Sequence, residues 1–510
     1  MEDYRTAARL IPANGFMATI DLKEAYLLVP IRESDRKFLR FEFHDRNLDT
    51  VHTYEFTALL YGLSVAPRVF TKIMKEVVTY LRYQGFKNVC YLDDILCIGD
   101  TYMECLQNVN TTITLLECLG FVINYFKSSL VPKQTCRFLG FIFDSVNQTI
   151  SLPSDKCQKI LDLIDKFSLL RKCTIREFAQ LIGVLVSACP AVKYGWLYTK
   201  ILERQKFLAL QKRLNFEAHF KPSPVILDDL SWWKLNVMKS SNSLKTANYD
   251  FEIYTDASRT GWGAVCNNER AHGAWKNCEL DHHINFLELL AVFLALKFFA
   301  SDFSDCSILL RVDNTTAISY VNRMGGIQFP HLSNLSRQIW QWAEKRNIWL
   351  FASYIHTKDN YEADEESRKF NPDTECELSD EAFDRISKAF GVPEVDLFAS
   401  RANAKCKSYI SWKRDPEALT IDAFTVNWNG KFFYAFPPFP LILKCLQKIN
   451  EDNSTGVLVF PFWPSQAWYP QLMKMIISDI IWLNPNEHRV QSCYRNPLTL
   501  GAAVLSGRRS

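Results

Sequence analysis

The sequence predicts a multidomain protein of α+β and α/β class. The chain has 510 residues, more than one hydrophobic core usually supports, and size alone suggests roughly three domains. Short apolar, strand-like runs alternate with helical stretches over most of the chain, which is typical of mixed folds. Polar segments at residues 240–248 and 371–377 interrupt this alternation, and we interpret them as linkers.

The first segment, residues 1–150, alternates strands with helices. Strand-like runs lie at residues 17–22, 37–43, 88–92, 95–99 and 138–143, and helical stretches at residues 66–83 and 102–119. Residues 151–245 are mainly helical. There Thr174 and Glu177 have the spacing of a capping box, ahead of an apolar helix face formed by Phe178, Leu181, Ile182 and Leu185.

Two further α/β segments follow, at residues 249–370 and 378–510. The former opens with the strand-like run FEIYTDAS, and the latter has short apolar runs broken by prolines and aromatic residues at 432–440 and 456–464. The chain shows neither an internal repeat nor a low-complexity tract.

Composition restricts the setting and the partners. Hydrophobic residues make up 48% of the chain and charged residues 23%, as in ordinary folded proteins. The net charge of +3 does not by itself indicate a polyanion partner. The basic stretch at residues 200–221 either contacts phosphates or is the solvated face of a helix.

Cysteine usage and hydropathy favour an intracellular protein without membrane contact. The 15 cysteines form neither a CxxC pair nor a zinc-ligand spacing, which argues against disulfide frameworks and structural zinc. The longest apolar run, residues 289–300, contains Lys297 and is shorter than the roughly 18 residues of a membrane span. The N-terminal residues resemble neither a leader nor an anchor. Cytoplasm and nucleus are not distinguished, and the oligomeric state is not indicated.

A first group of acidic residues lies in strand-like surroundings. Asp93 and Asp94 separate two apolar runs and are predicted to form a two-residue hairpin turn, and Asp21 ends another apolar strand. Aspartate is common in turns, so an ordinary turn is the alternative. Carboxylates at the ends of buried strands cost several kcal/mol unless paired or bound to a cation, and a divalent cation would compensate three of them.

Five motifs in this segment resemble the palm of reverse transcriptases: DLKEAY, YGLSVAPRVFTKIMK, YLDD, FKSSLVP and FLGFIF, in that order. The resemblance implies that Asp21 and Asp93 hold two Mg²⁺ ions, with Asp94 as the third acid and Mn²⁺ as an alternative metal. It also implies an RNA template, a DNA primer and deoxynucleoside triphosphates as partners.

The same resemblance assigns roles to residues around the acids. Tyr26 would exclude a ribose 2′-hydroxyl, Tyr61 and Gly62 would border nucleotide and template, Lys127 would lie near the incoming nucleotide, and residues 138–141 would form a primer-gripping hairpin. The respective alternatives are a core aromatic, a loop-to-helix junction, a surface lysine and a core strand.

One departure from the reverse transcriptase pattern suggests a second function. Family members carry a basic fingers region ahead of the first metal-binding aspartate, whereas here twenty residues precede Asp21, with Arg5 and Arg9 as their permanently charged cations. Truncated fingers would leave the metal site intact and weaken nucleotide binding. The alternative function is therefore a transposon-derived nucleic-acid-binding fragment with weak or no polymerase activity.

A second group of acids interrupts or ends apolar segments farther along the chain: Asp256, Glu288, Asp313 and Asp364. Turn, cap and helix-terminus positions are the alternatives for the aspartates. None of these positions explains Glu288 as well, because it lies within an apolar helical run. Four such acids can bind two metal ions that activate water at a phosphodiester.

This segment resembles ribonuclease H as fused to retroelement polymerases. The motifs are YTDAS, NFLEL, RVDNTTA and the pattern from His356 to Arg368. The resemblance implies cleavage of the RNA strand of an RNA/DNA hybrid with two Mg²⁺ ions. It gives His356 a role in product release or proton transfer, and Asn360 a role in ordering its loop.

The C-terminal segment completes a resemblance to reverse transcriptase and ribonuclease H polyproteins of DIRS-type retrotransposons, which move with a tyrosine recombinase. The helical stretch at 174–203 and the C-terminal stretches at 395–412, 432–440 and 459–470 carry it. It implies a domain similar to adenine-N6 methyltransferases. The matching motif reads Phe436, Pro437, Pro438 and Phe439, without the usual polar acceptor, and no glycine-rich loop accompanies it. We therefore expect a degenerate fold that packs on or positions nucleic acid.

Overall fold

The computed structural model describes residues 2–45, 49–244, 248–369, 376–489 and 498–507. These form two compact units, Met1–Ala247 and Asn248–Ser510. The division falls within the predicted linker at 240–248, of which 245–247 lie outside the described residues, as do 371–375 of the second linker. Both units mix helices and strands, so the predicted mixed class is confirmed at that level.

The first unit begins with strands and ends with helices. Its described strands are β1 Phe16–Lys23, β2 Arg40–Asp45, β3 Thr50–Glu55, β4 Lys87–Tyr91, β5 Asp94–Gly99, β6 Val122–Ile123, β7 Ser129–Lys133, β8 Thr135–Phe138, β9 Phe141–Asp144, β10 Thr149–Ser151, β11 Cys173–Thr174, β12 His219–Phe220 and β13 Ser241–Ser243. Its described helices are α1 Tyr4–Leu10, α2 Glu33–Arg36, α3 Ala66–Tyr83, α4 Tyr102–Cys118, α5 Ser154–Ser168, α6 Ile175–Ala188, α7 Lys200–Arg213 and α8 Ile226–Asn236.

The central sheet of this unit has the order β4-β5-β1-β6, with β7 also paired to β1. Strand β1 runs antiparallel to β5, β6 and β7. Helices α3 and α4 pack on the sheet through a core that includes Ile20, Phe70 and Leu116. The apolar alternation of β1 and the amphipathic faces of the helices place these side chains inside.

A buried polar network fastens α4 to the β4–β5 hairpin. The Asn88 side-chain amide donates to Asn108 Oδ1 at 2.9 Å and to Thr112 Oγ1 at 3.2 Å. The Asn108 amide in turn donates to the carbonyls of Lys87 and Ile98, each at 3.0 Å. Asn88 Oδ1 is buried without a partner, but the donor groups of both amides are paired, as buried donors usually are. These hydrogen bonds fix one arrangement of helix and hairpin.

The predicted helices of this unit are confirmed. The helix predicted at 66–83 spans Ala66–Tyr83, and the one predicted at 102–119 ends at Cys118. The Thr174–Glu177 capping box forms, with Glu177 N donating to Thr174 Oγ1 at 3.1 Å and Thr174 N to Glu177 Oε2 at 3.0 Å.

Two strand predictions need correction. In the run at 37–43, residues Lys37–Leu39 form a 3₁₀ turn and only the later part joins β2. The run at 138–143 is not one strand, because a tight turn divides it into β8 and β9. The helical segment 151–245 contains α5–α8, as expected, but it also contains the short strands β11, β12 and β13, and β13 pairs with β10 at the edge of the sheet β13-β10-β9-β8.

The described part of the second unit contains two large sheets of different kinds and one two-stranded sheet. Its described strands are β14 Phe251–Ala257, β15 Gly261–Cys266, β16 Glu269–Ala274, β17 Ser307–Val312, β18 Trp349–Tyr354, β19 Glu377–Leu378, β20 Val395–Asp396, β21 Ser408–Tyr409, β22 Phe433–Ala435, β23 Thr455–Pro461, β24 Ile481–Leu483, β25 His488–Arg489 and β26 Leu500–Ser506. Its described helices are α9 Asn277–Leu280, α10 Ile284–Phe299, α11 Thr315–Asn322, α12 Pro330–Glu344, α13 Tyr361–Arg368, α14 Asp380–Phe390, α15 Ile442–Glu451 and α16 Tyr469–Met475.

The first of these sheets has the order β16-β15-β14-β17-β18. Strands β14, β15 and β16 are antiparallel neighbours, whereas β17 is parallel to both β14 and β18. Helix α13 crosses close to β15 at Gly263, where an added Cβ would lie 2.3 Å from the Ala363 carbonyl oxygen and from the Ser367 amide nitrogen. Only glycine permits this approach.

The second sheet has the order β21-β20-β22-β23-β26-β24. Strands β21, β20, β22 and β23 are parallel, and β26 runs antiparallel to both β23 and β24. Its core includes Phe433, Val457 and Leu505, with Leu446 from α15. Runs of consecutive buried residues in β22 and β23 are typical of a parallel sheet covered on both faces.

Two further features concern the described residues as a whole. None of their helices combines the length and the apolar character that crossing a membrane requires. Each of the cysteines among them is free.

Candidate active sites

The first acidic site lies where β1 and β5 pair. Asp21 is directly opposite Asp94 in this antiparallel register, and directly opposed residues project their side chains on the same face of a sheet. Asp93 immediately precedes β5, and its carbonyl accepts a hydrogen bond from Leu22 N at 3.0 Å. The pairing therefore brings the three predicted acids to one end of two adjacent strands.

The turn that carries Asp93 is displaced by one residue from its predicted position. Asp94 is not a turn residue, since it pairs with Tyr91 in the β4–β5 ladder. The two-residue connection consists of Leu92 and Asp93, and Leu92 takes the left-handed conformation, with φ of 56°. The apolar run Ile95–Ile98 is buried in this register, so burial of β5 decides the turn position more strongly than the turn preference of aspartate.

The electrostatics of this site reflect crowded negative charge. Burial, followed by the charges of Asp93 and Asp21, raises the pKa of Asp94 to about 6, while Lys127 acts in the opposite direction. The lysine is nearby because its loop is bound to the strand: Asn124 N donates to the Asp21 carbonyl at 2.8 Å, and Asp21 N donates to Ser128 Oγ at 3.0 Å. An additional cation would relieve the remaining repulsion.

Two predicted nucleotide-binding residues pack beside these acids. The ring of Tyr26 lies 5.1 Å from that of Tyr61 and 5.2 Å from that of Phe70. Burial and the charge of Asp93 raise the pKa of both tyrosines. Gly62 has φ of +86°, a conformation that favours glycine. The roles given to these residues stay predictions.

The predicted hairpin at residues 138–141 is present. Phe138 and Phe141 face each other across β8 and β9, and the connection consists of Leu139 and Gly140, both with positive φ. Two consecutive positive φ values are typical of a type I′ turn, which matches the twist of paired strands. Both phenylalanines are buried, so the rings belong to the core and the turn is the part of this hairpin that projects.

The second acidic site forms at the carboxyl edge of two parallel strands. Asp256 lies in β14, and Asp313 follows β17. The parallel register pairs Tyr254 with Arg311, so the two acids, each two residues farther along, lie side by side. Glu288 reaches them from α10. Oxygen atoms of these three carboxylates all lie within 4.8 Å of one another, and across the described part of the chain this is the one group of three acidic, histidine or cysteine side chains so close.

Glu288 is the most strongly perturbed of the three. Burial, together with the charges of Asp256 and Asp313, raises its pKa to about 9. The backbone amide of Ala257 donates to it, but its Oε2 atom is buried without a partner. A buried carboxylate oxygen without a partner, next to two further carboxylates, fits a bound divalent cation.

The fourth predicted acid is not part of this cluster. Asp364, on α13, lies outside the group of three and instead pairs with Arg368, whose Nη2 donates to Oδ1 at 2.6 Å. Its charge still contributes to raising the pKa of Asp256, whose chief cause is burial. The predicted set of four is thus assembled only in part. The four-residue spacing of Asp364 and Arg368 on a helix is the sequence signal for their pairing.

The loop after β18 supplies a residue that the sequence prediction missed. His356 is exposed, and its Nδ1 accepts from Lys358 N at 3.2 Å. It is Thr357 that contacts the cluster, with Oγ1 donating to Asp313 Oδ2 at 2.9 Å. Asn360 is buried and donates to the Thr255 carbonyl at 3.0 Å. It therefore anchors the loop to β14, beside Asp256.

The aromatic motif of the C-terminal segment lies directly after β22. Phe436 and Phe439 are both buried and so add to the core of this sheet. On the neighbouring strand β20, the Asp396 carboxylate accepts from Phe398 N at 3.3 Å and from Lys405 N at 3.1 Å. These backbone contacts order the loop after β20.

Comparison with known proteins agrees with the class of the first site. Residues 2–143 match the family described as reverse transcriptase (RNA-dependent DNA polymerase). This segment contains the paired strands with Asp21, Asp93 and Asp94, and a reverse transcriptase domain is therefore the class that sequence and site define together.

Several relatives of the chain are viral polyproteins. It is 25% identical to the enzymatic polyprotein of cauliflower mosaic virus (strain Strasbourg) over 385 residues, covering 71% of this chain and 51% of that protein. It is 26% identical to the enzymatic polyprotein of carnation etched ring virus over 285 residues (53% and 40%), and 24% identical to the Gag-Pol polyprotein of avian reticuloendotheliosis virus over 183 residues (35% and 15%). The chain thus spans about half the length, or less, of these relatives.

Among solved structures, the chain is similar to the foamy viral protease-reverse transcriptase in complex with an RNA/DNA hybrid. The identity is 16% and the TM-score 0.41, covering 68% of this chain and 45% of that one. The same protein in complex with double-stranded DNA gives a TM-score of 0.39.

Proposed function

We propose that this chain is part of a retroelement polyprotein that copies RNA into DNA and degrades the copied RNA. The observation that carries the proposal is the opposition of Asp21 and Asp94, with Asp93 beside them, within the segment that matches reverse transcriptases. The partners are an RNA template, a DNA primer and deoxynucleoside triphosphates. Such substrates occur inside cells, in the cytoplasm or the nucleus.

In the polymerase site, Asp21, Asp93 and Asp94 would hold Mg²⁺, with Mn²⁺ as the alternative. The bound ions would lower the pKa of a primer 3′-hydroxyl and stabilise the departing pyrophosphate. The chain contributes rigidity, because β1 and β5 hold two of the carboxylates in register. Tyr26, packed edge-on against Phe70, would exclude a 2′-hydroxyl. Lys127 would attract the triphosphate.

In the nuclease site, Asp256, Glu288 and Asp313 would hold Mg²⁺, with Asp364 joining once released from Arg368. The ions would activate water and stabilise the leaving oxygen of a phosphodiester in an RNA/DNA hybrid. Thr357 orients the Asp313 carboxylate. His356, in the same exposed loop, would assist proton transfer or product release.

Primer extension tests the polymerase assignment. Extension on an RNA template with Mg²⁺ should be lost in Asp94→Asn, because one opposed carboxylate is removed, whereas Asp162→Asn, an exposed position on α5, should retain it. Absence of extension by the unmodified chain would instead support a fragment that binds nucleic acid without copying it, a function that the comparisons do not favour.

Hybrid cleavage tests the nuclease assignment separately. Cleavage should be lost in Asp256→Asn and in Glu288→Gln, and should persist in the control Asp302→Asn, a surface position. A cleavage rate unchanged by Glu288→Gln would refute the metal-site assignment, whatever the result of primer extension.

For the C-terminal segment we propose a degenerate methyltransferase-like domain that packs on or positions nucleic acid. Supporting it are four parallel strands followed by an antiparallel β26 between β23 and β24, together with the Phe436–Phe439 motif. Calorimetry should detect no binding of S-adenosylmethionine, and measurable binding would overturn the degenerate assignment.

We further propose that the element is of DIRS type, on the strength of the C-terminal sequence motifs. A tyrosine recombinase reading frame beside this one in the genome would be expected. An integrase frame of another type in its place would contradict the assignment.

A further inference from the structure

A basic cavity lies inside the second compact unit, lined on one side by Lys276 and the C-terminal ends of α10 and α12 and on the other by residues 401–417. Its volume is about 580 Å³. Five cationic side chains line it, together with a single carboxylate and the rings of Trp342 and Tyr409; the cations are Lys276, Lys297, Arg346, Arg401 and Lys407. Neither acidic site contributes a residue to its walls.

Part of this charge is compensated internally. The Glu417 carboxylate contacts Lys297 Nζ at 2.8 Å, Lys276 Nζ at 3.2 Å and Arg401 Nε at 3.2 Å. Arg401 is buried and also forms a bidentate pair with Glu279, in which Nη1 donates to Oε2 at 3.0 Å. Burial acts to raise the pKa of Glu417, but Lys297, Arg401 and Lys276 together lower it to about 2.

The remaining charge faces the cavity. Across the described residues, neither Arg346 nor Lys407 has a carboxylate within 4 Å. Arg346 stacks over Trp342, with the guanidinium carbon 4.4 Å from the ring centroid, and Lys407 is exposed at the rim. Three carboxylates oppose the five cations: Glu417 in the wall, Glu279 paired with Arg401, and Asp415, which accepts hydrogen bonds from Arg401 N and the Tyr409 hydroxyl. An excess of two positive charges remains around the cavity.

From this arrangement we propose that the cavity binds the phosphate groups of a nucleotide, either free or at the end of a nucleic-acid strand. A volume of 580 Å³ exceeds what a single inorganic phosphate needs and suits a nucleotide. The guanidinium of Arg346 is held by the Trp342 ring and by hydrogen bonds to the Ser301 and Trp342 carbonyls. It is therefore oriented before any ligand arrives, and guanidinium groups match phosphate geometry.

The cation cluster around Glu417 also has a structural role, which the test must separate from binding. The ion pairs join two segments of the chain. Residues 249–370, the nuclease-like segment, supply Lys276, Glu279 and Lys297, and the C-terminal segment supplies Arg401 and Glu417. The pairs therefore hold the two segments together. Arg346 and Lys407 take no part in these pairs. Substitutions at those two positions remove phosphate contacts without breaking the fastening.

Lysine footprinting on the full chain tests the proposal locally. In a chelating buffer, which keeps metal ions out of both acidic sites, acetylation of Lys407 is compared with that of Lys388, an exposed lysine of α14. The probes are dATP and a short 5′-phosphorylated DNA strand. Protection of Lys407 by either probe supports the proposal, and which probe protects identifies the source of the phosphate. Protection by neither overturns it.

Affinity measurements supply the second readout. Arg346→Gln and Lys407→Gln should each weaken binding of the protecting probe roughly threefold to fivefold, as expected for loss of a screened ion pair. Each should also flatten the salt dependence of binding. Lys388→Gln should change neither. Equal affinities for all three variants and the unmodified chain would refute the assignment, and unchanged thermal unfolding of the variants would show that the fold is intact.

Discussion

Glu288 is the residue at which metal binding and folding stability should be most clearly linked. Its pKa is raised from 4.5 to about 9 by burial and by the charges of Asp256 and Asp313. A raised carboxyl pKa means that folding favours the protonated form. Without metal, the chain therefore loses stability as pH rises above 4.5, and the loss levels off only near pH 9.

The magnitude follows from this interval. At pH 7 the distance from the ordinary pKa of 4.5 corresponds to about 3 kcal/mol. Glutamine keeps the size of the side chain and cannot ionise. In Glu288→Gln without metal, we expect the second unit to gain on the order of 1–3 kcal/mol at pH 7, or roughly 4–8 °C in melting temperature for about 2 kcal/mol. At pH 4.5 the gain should vanish.

Thermal unfolding in EDTA and in Mg²⁺, at pH 7 and pH 4.5, measures this linkage. Mg²⁺ should stabilise the unmodified chain at pH 7 in proportion to the logarithm of its concentration and should stabilise Glu288→Gln much less. The control Asp302→Asn should respond to Mg²⁺ like the unmodified chain. If Glu288→Gln is no more stable than the unmodified chain in EDTA at pH 7, or if Mg²⁺ stabilises both equally, Glu288 is not a metal ligand held under electrostatic strain.

Three further predictions concern neighbouring features. Asn108→Ala should destabilise the first unit by about 2–4 kcal/mol in urea unfolding, because it leaves buried carbonyls unpaired. Asn110→Ala, at an exposed position on the same helix, should destabilise it far less. Equal losses of stability in the two variants would contradict the buried network. Gly263→Ala should abolish hybrid cleavage and cost about 3 kcal/mol in thermal unfolding, because the added methyl group overlaps α13, and a fully active variant would contradict that packing. Arg368→Gln should lower the Mg²⁺ concentration for half-maximal cleavage roughly threefold by freeing Asp364, and an unchanged requirement would argue that this acid does not join the site.

Local patterns in the sequence are sufficient for much of the first unit. Helices 66–83 and 102–119 were predictable because their apolar residues follow helical spacing, and the Thr174–Glu177 pair because a capping box involves adjacent turns. The β4–β5 hairpin was predictable as well, but its register was not. The register that buries the apolar residues of β5 places Leu92 in the turn with a positive φ. The turn preferences of the residues do not predict that register.

Contacts between distant residues set the limit of such prediction. The cluster of Asp256, Glu288 and Asp313 could be proposed because its motifs match those of ribonuclease H in order. The ion pair of Asp364 with Arg368, which leaves Asp364 outside the cluster, depends on side-chain geometry. The basic cavity had no sequence signal at all. Lys276 and Glu417 are separated by 141 residues, and neither lies in a motif that would have drawn attention to it.

Helix α10 shows how one element serves both sites of the second unit. Nine residues separate Glu288 from Lys297, which is two and a half turns, so the two side chains leave opposite faces of the helix about 13 Å apart along its axis. Glu288 meets Ala257 of β14, and Lys297 meets Glu417 of the C-terminal segment. Nearly all other residues of this helix are apolar and buried, and a helix that is hydrophobic all round must be covered on every side. Each of its two ionisable side chains therefore needs its own compensation. Lys297 pairs with the Glu417 carboxylate, whereas Glu288 is neutral when protonated and would need a bound cation when ionised. A ligand in the basic cavity would accordingly leave the charge balance at Glu288 unchanged, and any effect it had on hybrid cleavage would have to pass through the position of the helix itself.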